Sequence, residues 1–420
     1  MPRRFFWMLL SATVLALAPD HAAAQRAATH EAATPSVRKH LSSTRSMHDS
    51  LHRTLQRILD DAVLDSAFPG AIAVIGSQDG PLVTVTAGRL DWRPSPRPTV
   101  RTLWDLASLT KVVGMTSAVM RLVEQGRVEL DAPVQRYLPE WTGANKERVT
   151  VRHLLTHQSG LPAFKQYFKV NASPDSTLRL MVTTPLDTLP GMRMVYSDIG
   201  AILLGKIVER VSGETLDAYL ARHVFGPLRM GDTRYRPPTA LRARIAPTEY
   251  DPWRGRHLVG EVHDENAFAL GEVSAHAGLF SSAHDLDRLA RAYLRRGSLD
   301  AARLASASTI RQFTSVADSG FSTRALGWDT PGPSSSGGQF LLRPAFGHTG
   351  FTGTSLWIAP QYDLYVLLLT NRVNPTRAHS KIGPVRVAVA DAAMRVLQPS
   401  VVAAIEARTL SPSPSPTGRP

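Results

Sequence analysis

Strand-forming sequence gathers near the two ends of this chain, with helical pattern between. Ala71 to Ile75 and Leu82 to Ala87 are β-rich and flank Gln78-Asp79-Gly80, where Asp-Gly is a strong hairpin signal. Ser355 to Ala359 and Leu364 to Thr370 bracket Pro360-Gln361-Tyr362-Asp363 as a second hairpin. Between the hairpins, Val112, Met115, Val119, Leu122 and Val123 make one apolar helix face that ends near Gly126. Ile199, Ile202, Leu203, Ile207, Val208 and Val211 make another, closed by Gly213 where a C-cap glycine belongs. A short element is expected from His153 to His157, and helices over Met47 to Leu64, Asp285 to Arg295 and Val385 to Leu397. Two hairpins this far apart can share a sheet only if the intervening chain folds out as an insert. The expected class is α/β (α+β): an antiparallel sheet from the N- and C-terminal segments, flanked by helices, with an inserted, mostly helical region.

The ends set the domain limits. Arg3 and Arg4 precede an apolar run from Phe5 to Ala18, and Ala22-Ala23-Ala24 comes next. This is the three-part form of a secretory signal peptide. The run has 14 residues, short of the ~20 a spanning helix needs. The expectation is a signal peptide over 1–24 with cleavage near Ala24, an exported chain that is periplasmic or extracellular, and no transmembrane segment after cleavage. Residues 25–45 read as a polar linker, 46–400 as one domain (sheet region about 46–105 plus 270–400, helical region about 106–269), and 401–420 as a low-complexity tail. The stretch from Arg236 to His276 has little periodicity and is expected to cover a surface.

Composition narrows the chemistry. The chain has no cysteine, which excludes thiol nucleophiles, disulfides and thiolate metal sites. The net charge of +13 comes mainly from scattered arginines without a zinc-finger, RNP-like or basic-zipper pattern, so no nucleic-acid partner is expected. His153 and His157 have the i, i+4 spacing of two metal ligands but no acidic residue between them, and are read as structural, with no metal and no cofactor. Gly200 to Gly205-Lys206 has phosphate-loop spacing, yet Ile207 stands where Ser or Thr should hold magnesium. No Gly-x-Ser-x-Gly elbow occurs.

Ser108-Leu109-Thr110-Lys111 remains. At the opening of a helix, residues three apart share a face, and an amine placed there can take part in proton transfer from the serine. The spacing alone is weak, since Ser36-Val37-Arg38-Lys39 has it too. Two further polar clusters add context: Tyr196-Ser197-Asp198 opens a helix, and Gly347-His348-Thr349-Gly350 leads into the late hairpin.

Taken together, the chain resembles the serine β-lactamase and penicillin-binding hydrolase superfamily, in the branch related to class C β-lactamases. Ser108-x-x-Lys111 is similar to the first family motif, Tyr196-x-Asp198 to the second, and His348-Thr349-Gly350 to the third. Flanking stretches add to the likeness: Val149 to His157, Val262 to Asn266, His276 to Phe280 and Gly350 to Trp357. The resemblance spans roughly Leu55 to Leu397. It implies a β-lactamase/transpeptidase-like fold in which Ser108 forms an acyl-enzyme, Lys111 and Tyr196 share the proton transfers, and the backbone N–H groups of Ser108 and Phe351 form the oxyanion hole. His348, Thr349, Gly350 and Asp198 would bind substrate or hold the proton network.

Two departures stand out. His348 replaces the usual lysine, which weakens recognition of a β-lactam carboxylate, because an ordinary imidazole is charged only in part at neutral pH. Asp198 replaces an asparagine, so an amide donor becomes an acceptor that either caps its helix or pairs with Lys111. Both shift the expected substrate from β-lactams toward esters, small amides and D-amino-acid peptides, including peptidoglycan-derived ones. A non-catalytic envelope binding protein of the same fold is the alternative, and so is a basic adhesion protein. The oligomeric state is left open.

Overall fold

The computed structural model describes residues 35–317, 322–332 and 335–410. The expected signal peptide, the start of the expected linker and the Ser-Pro tail from Ser411 lie outside the described residues. Two compact units are present, Met1–Ser46 and Met47–Pro420. The sheet, the helical insert and the site belong to the second unit, and helix α1 (Pro35–Leu64) starts in the first.

Five strands build one antiparallel sheet: β1 (Gly70–Ser77), β2 (Gly80–Gly88), β3 (Phe346–Thr349), β4 (Ser355–Ala359) and β5 (Leu364–Thr370), in the order β2-β1-β5-β4-β3. β1 pairs with β5 in the register Ile72 to Leu369 and Val74 to Leu367. The two ends of the chain thus meet in the middle of the sheet. Burial reflects this order: β5 is buried at every position, whereas edge strand β2 alternates, as expected when one face of an edge strand stays wet.

Strand alternation splits the core into two layers. Ala71, Ala73 and Ile75 face Leu51, Leu55 and Leu59 of α1 and Val389, Ala393 and Met394 of a late helix. Ile72, Val74, Leu367 and Leu369 face the larger cluster formed by the helical insert. Each such buried Val, Leu, Ile or Met side chain contributes about 1.5–3 kcal/mol of transfer free energy. Helices α2 (Thr116–Glu124), α3 (Asp198–Ser212), α4 (Ala283–Leu294) and α5 (Ile382–Leu397) carry these faces. Gly213 closes α3 with φ +77°, a left-handed cap as its position implied. Among the described residues no single helix is long and apolar enough to cross a membrane.

Four local expectations change. α1 starts at Pro35, inside the segment read as linker, because proline suits a first helical turn and no glycine or proline intervenes before Leu64. Residues Pro399–Leu410 continue as a helix with Val402 buried against the sheet layer, so the tail loses its first ten residues to the fold. His348 sits in edge strand β3, which its short flanking glycines concealed. The Arg236–His276 stretch is no mere cover, for it delivers His263, Asp264 and His276 to the site.

Candidate active site

The segment before Ser108 is set by a short ladder. Trp104 and Asp105 pair with Ser281 and Phe280, and the Leu106 N–H donates to Leu279 O at 2.9 Å. Ala107 then takes φ +45°, a left-handed conformation that costs a non-glycine residue about 1–2 kcal/mol. The Asp105 carboxylate holds it there, accepting the Ala107 N–H at 2.8 Å and the His263 N–H at 2.7 Å. Burial pushes the Asp105 carboxyl above its ordinary value despite these bonds. The turn aims Ser108 at a cavity of about 490 Å³ and opens a π-helical turn, Lys111–Met115, ahead of α2. Such π turns recur at functional sites.

Lys111 is buried behind Ser108. Its Nζ donates to Ser108 Oγ at 3.1 Å and to His276 O at 3.0 Å, and lies 2.7 Å from Asp198 Oδ1. Burial alone would favour the neutral amine, but the Asp198 carboxylate, with Tyr196, outweighs it and raises Lys111 above its ordinary value. Lys111 is therefore an ammonium in the resting site. Ser197 caps α3 by accepting the Gly200 N–H at 3.3 Å, so the cap and pairing roles weighed for Asp198 fall to different residues: Ser197 caps and Asp198 pairs.

Tyr196 lines the same cavity. Its ring lies 4.9 Å from Lys111 Nζ, 5.4 Å from the Arg324 guanidinium and 4.5 Å from the His157 ring, and its hydroxyl has no hydrogen-bond partner among the described residues. His157 accepts the Ser197 N–H on Nδ1 at 3.1 Å. It is structural as expected, but its task is to back the tyrosine. His153 belongs to the capping box of the helix Val151–Leu155, and the Gly200–Lys206 phosphate-loop pattern lies inside α3.

The loop after β3 supplies the opposite wall. A Cβ on Gly350 would collide with Thr354 Oγ1 and Leu106 O, so only glycine lets this loop touch the segment before the serine. Thr352 Oγ1 donates to Asp105 O at 2.7 Å and Thr354 Oγ1 to Leu106 O at 3.1 Å. Arg372 Nε donates to Phe351 O at 2.7 Å, and Arg386 Nη2 donates to Gly350 O at 2.7 Å and Thr354 O at 2.9 Å. With its carbonyls turned away, the loop leaves the Phe351 N–H free. Among the described residues neither that N–H nor the one of Ser108 has an acceptor.

His348 donates its Nδ1–H to Thr349 O at 2.8 Å, while its Nε2, left as an acceptor, is buried and unpartnered among the described residues. Burial first, then the charges of Arg324 and Lys111, holds its pKa well below the ordinary value. The partial charge expected of this imidazole is thus absent at neutral pH: His348 is neutral, because the pocket is both dry and cationic.

Sequence reasoning missed several residues. Asp264 and His276 sit in stretches that looked family-like but carried no assigned role, and Asp105, just before Ser108, carried none either. Arg324, Arg372 and Arg386 had no sequence signal, since they are three of many scattered arginines. Asp198, Asp264 and His276 bring potential ligand atoms within 4.8 Å of one another, but the Lys111 ammonium already supplies a cation to Asp198, and His276 Nε2 is joined to Asp264 Oδ1 at 2.9 Å.

Comparison with known proteins identifies the family. The Beta-lactamase family model matches residues 53–391. The N-acetylmuramyl-L-alanine amidase of Bacillus subtilis (strain 168) is 35% identical over 350 residues, covering 73% of this chain and 78% of the relative. A penicillin-binding protein homolog from Caulobacter crescentus superposes with a TM-score of 0.68 at 22% identity, over 82% of this chain and 97% of that one. EstCE1, a hydrolase with promiscuous acyltransferase activity, gives a TM-score of 0.66 at 22% identity, over 82% and 98%. By fold, sequence and the extent of the match, the chain belongs to the Beta-lactamase family of serine hydrolases.

Proposed function

We propose that this chain is an exported amide hydrolase that works through an acyl-enzyme on Ser108, with short, cell-wall-derived amides and peptides as preferred substrates, small esters as accepted ones and β-lactams as poor ones. One observation carries the proposal: a serine Oγ hydrogen-bonded by a buried ammonium shares a cavity with two backbone N–H groups, of Ser108 and Phe351, that have no acceptor among the described residues. Such donors, fixed before substrate arrives, stabilise the charge that develops on a carbonyl oxygen, an effect worth roughly 3–4 kcal/mol for one donor.

Because Lys111 is charged and donates to Ser108 Oγ, the serine hydrogen points elsewhere, and the unpartnered Tyr196 oxygen is its acceptor. As Ser108 Oγ attacks the amide carbon, its proton passes to Tyr196 Oη while Tyr196 hands its own proton to the amide nitrogen, so the phenol keeps one proton throughout, and the C–N bond then breaks to release the amine. Water reverses these steps to release the acid. Lys111 stays charged throughout and holds Ser108 and Asp198 in place. The amidase name of the Bacillus subtilis relative supports amides as the substrate class, and export is supported by the charged, apolar and small-residue order of residues 1–24.

Incubation with a fluorophosphonate, followed by peptide mass spectrometry, tests the nucleophile. The adduct is expected on Ser108 and absent from Ser108→Ala, and labelling elsewhere with Ser108 unmodified overturns the assignment. A panel of N-acetylated alanyl amides, nitrophenyl esters and a chromogenic cephalosporin then ranks substrates. Labelling without turnover of any of them favours an envelope binding protein.

A further inference from the structure

The net charge of +13 is unevenly spread along the chain. Residues 89–101 and 231–261 hold ten arginines and no lysine against five acidic residues. Contacts join the two segments into one strip. Arg101 and Arg244 share Asp232 at 3.1 and 2.8 Å, Arg244 Nη2 donates to Arg101 O at 2.6 Å, and Arg93 Nη2 donates to His257 Nδ1 at 2.9 Å. The two signs of charge lie at different depths. The side chains of Asp91, Asp232, Glu249 and Asp251 are at most 11% exposed and that of Glu261 22%, whereas those of Arg93, Arg101, Arg236 and Arg256 are at least 50% exposed. Several arginines of the strip have no carboxylate at all: Arg89 donates to Ser95 O at 2.7 Å, Arg242 to Val259 O at 3.2 Å, and the exposed Arg97 side chain meets no acceptor among the described residues. Two exposed aromatic residues sit among them. Trp92 Nε1 donates to Asn374 O and the Tyr250 N–H to Pro375 O, each at 2.9 Å, which anchors both to one turn. Arg372 and Ser380, on either side of that turn in the chain, line the Ser108 cavity, so the strip runs up to the cavity.

Buried carboxylates under exposed guanidinium groups turn the positive end of each pair outward, and crowding like charges on a surface is unfavourable until an anion answers them. Carboxylate and phosphate groups fit a guanidinium fork. One exposed ion pair is worth little, so a partner gains by engaging several arginines at once, which a polymer with repeated anionic groups does and a small anion does not. The aromatic rings narrow the polymer further: Trp and Tyr offer flat apolar faces with a polar handle, which suits the C–H faces of sugar rings. A bilayer is a poorer match. Of the large apolar side chains exposed in the strip, Trp92, Tyr250 and Trp253 are aromatic and only Val100 is aliphatic, so no aliphatic face is present to enter hydrocarbon.

We propose that this strip is a docking surface, separate from the Ser108 site, for an anionic glycan: a polysaccharide that carries carboxylate or phosphate groups along its length. It holds the protein on such a polymer with the cavity alongside. The inference does not depend on the acyl-enzyme reading, since no residue of the strip takes part in that chemistry.

The test is binding of the full chain to immobilised alginate, phosphorylated dextran and neutral dextran at low salt. At least one anionic glycan is expected to bind at least about tenfold more tightly than neutral dextran, with the gap closing as salt is added. Tighter binding to alginate names carboxylate as the recognised group, and tighter binding to phosphorylated dextran names phosphate. Combining Arg89→Gln, Arg97→Gln, Arg101→Gln and Arg242→Gln strands no carboxylate, because Asp232 keeps Arg244, and should weaken that binding about tenfold. Changing four exposed arginines outside the strip, Arg53→Gln, Arg148→Gln, Arg311→Gln and Arg408→Gln, removes the same charge and should weaken it by no more than about threefold. Trp92→Ala should weaken the glycan about fivefold but polyphosphate, which has no sugar rings, by less than about twofold. Neutral dextran bound as tightly as the anionic glycans, equal losses in the two quadruple variants, or equal losses of glycan and polyphosphate in Trp92→Ala overturns the inference. So does tighter binding to duplex DNA, or to vesicles of equal parts phosphatidylglycerol and phosphatidylcholine, than to either glycan. Fluorophosphonate labelling of Ser108 is expected to be unchanged in the strip variant, and absence of that labelling in the natural protein counts against the acyl-enzyme reading alone.

Discussion

The two walls of the cavity are built on opposite principles. On the Ser108 side the buried charges are matched: Lys111 pairs with Asp198 and donates to Ser108 Oγ and His276 O. On the third-motif side the polar atoms wait: the Phe351 N–H and the Arg324 guanidinium lack acceptors, His348 Nε2 lacks a donor, and the neighbouring Tyr196 Oη has no partner among the described residues. A matched wall is stable without substrate and a waiting wall is not, so the contrast separates groups that hold the chemistry from groups that receive a ligand. Buried polar atoms are rarely left unpaired without a reason.

Removing the proposed nucleophile is the largest expected effect. Ser108→Ala should lower turnover by about 10³-fold or more, with stability within about 0.5 kcal/mol of the parent because the hydroxyl is at the cavity rim. Retention of turnover in that variant would break the comparison at its first element.

The matched wall can then be split from its chemistry. Lys111→Met strands the Asp198 carboxylate and is expected to cost about 3 kcal/mol, and Lys111→Met with Asp198→Leu should recover much of that loss, since a buried pair is often replaceable by apolar residues. Urea unfolding measures both. Neither variant should hydrolyse an amide, and stability that does not recover in the double variant would show that the pair is not the unit described.

Closure between the walls depends on Gly350. Gly350→Ala places a methyl group against Thr354 and Leu106 O and is expected to cost about 1–3 kcal/mol while lowering turnover, because the loop that carries the Phe351 N–H must retreat. A thermal melt and a rate assay on one sample check it.

The waiting wall has a pH signature. His348 is held well below its ordinary pKa by burial and by Arg324 and Lys111, so the folded state binds fewer protons than the unfolded one below about pH 6.5. Its neutral form favours folding above that value, and stability is lost as pH falls from there toward the folded pKa. Relative to His348→Gln, the parent should therefore lose stability between about pH 7 and 5, and its pH–rate profile should have no limb near the ordinary histidine value of about 6.5 that the variant lacks. A limb there that vanishes in His348→Gln would make the imidazole a titrating group and remove the contrast.

The smallest effect lies behind Phe351. Glu249 accepts from Arg377 and pairs with His263, and although burial opposes it, these partners lower its carboxyl to about 2. Its stabilising contribution is present above the ordinary carboxylate pKa and is lost as pH falls from about 4.5 toward about 2. The stability gap between the parent and Glu249→Gln, read from urea midpoints, should narrow over that range.

Legibility differed from residue to residue. The strands Ser355–Ala359 and Leu364–Thr370 and the helix closed by Gly213 were readable because apolar periodicity and a glycine cap are local signals. Ser108, Lys111, Tyr196 and His348 were readable as motifs, and the structure brings Ser108, Tyr196 and His348 to one cavity with Lys111 directly behind. Strand β3 was not, since four residues with a glycine among them carry almost no periodic signal. The start of α1 is hidden because its polar composition mimics a linker, although nothing in Ser36 to Leu64 breaks a helix.

Sequence alone therefore determined which side chains could act: a hydroxyl nucleophile in a chain without cysteine, a lysine three residues on, and a third motif lacking its cation. Tertiary structure decided their state. Asp198 lies 2.7 Å from Lys111 and keeps it charged, and dry surroundings with two cations nearby keep His348 neutral. Protonation and pairing depend on burial and on charges far apart in the chain, and those are set only when the two ends of the sheet close around the insert.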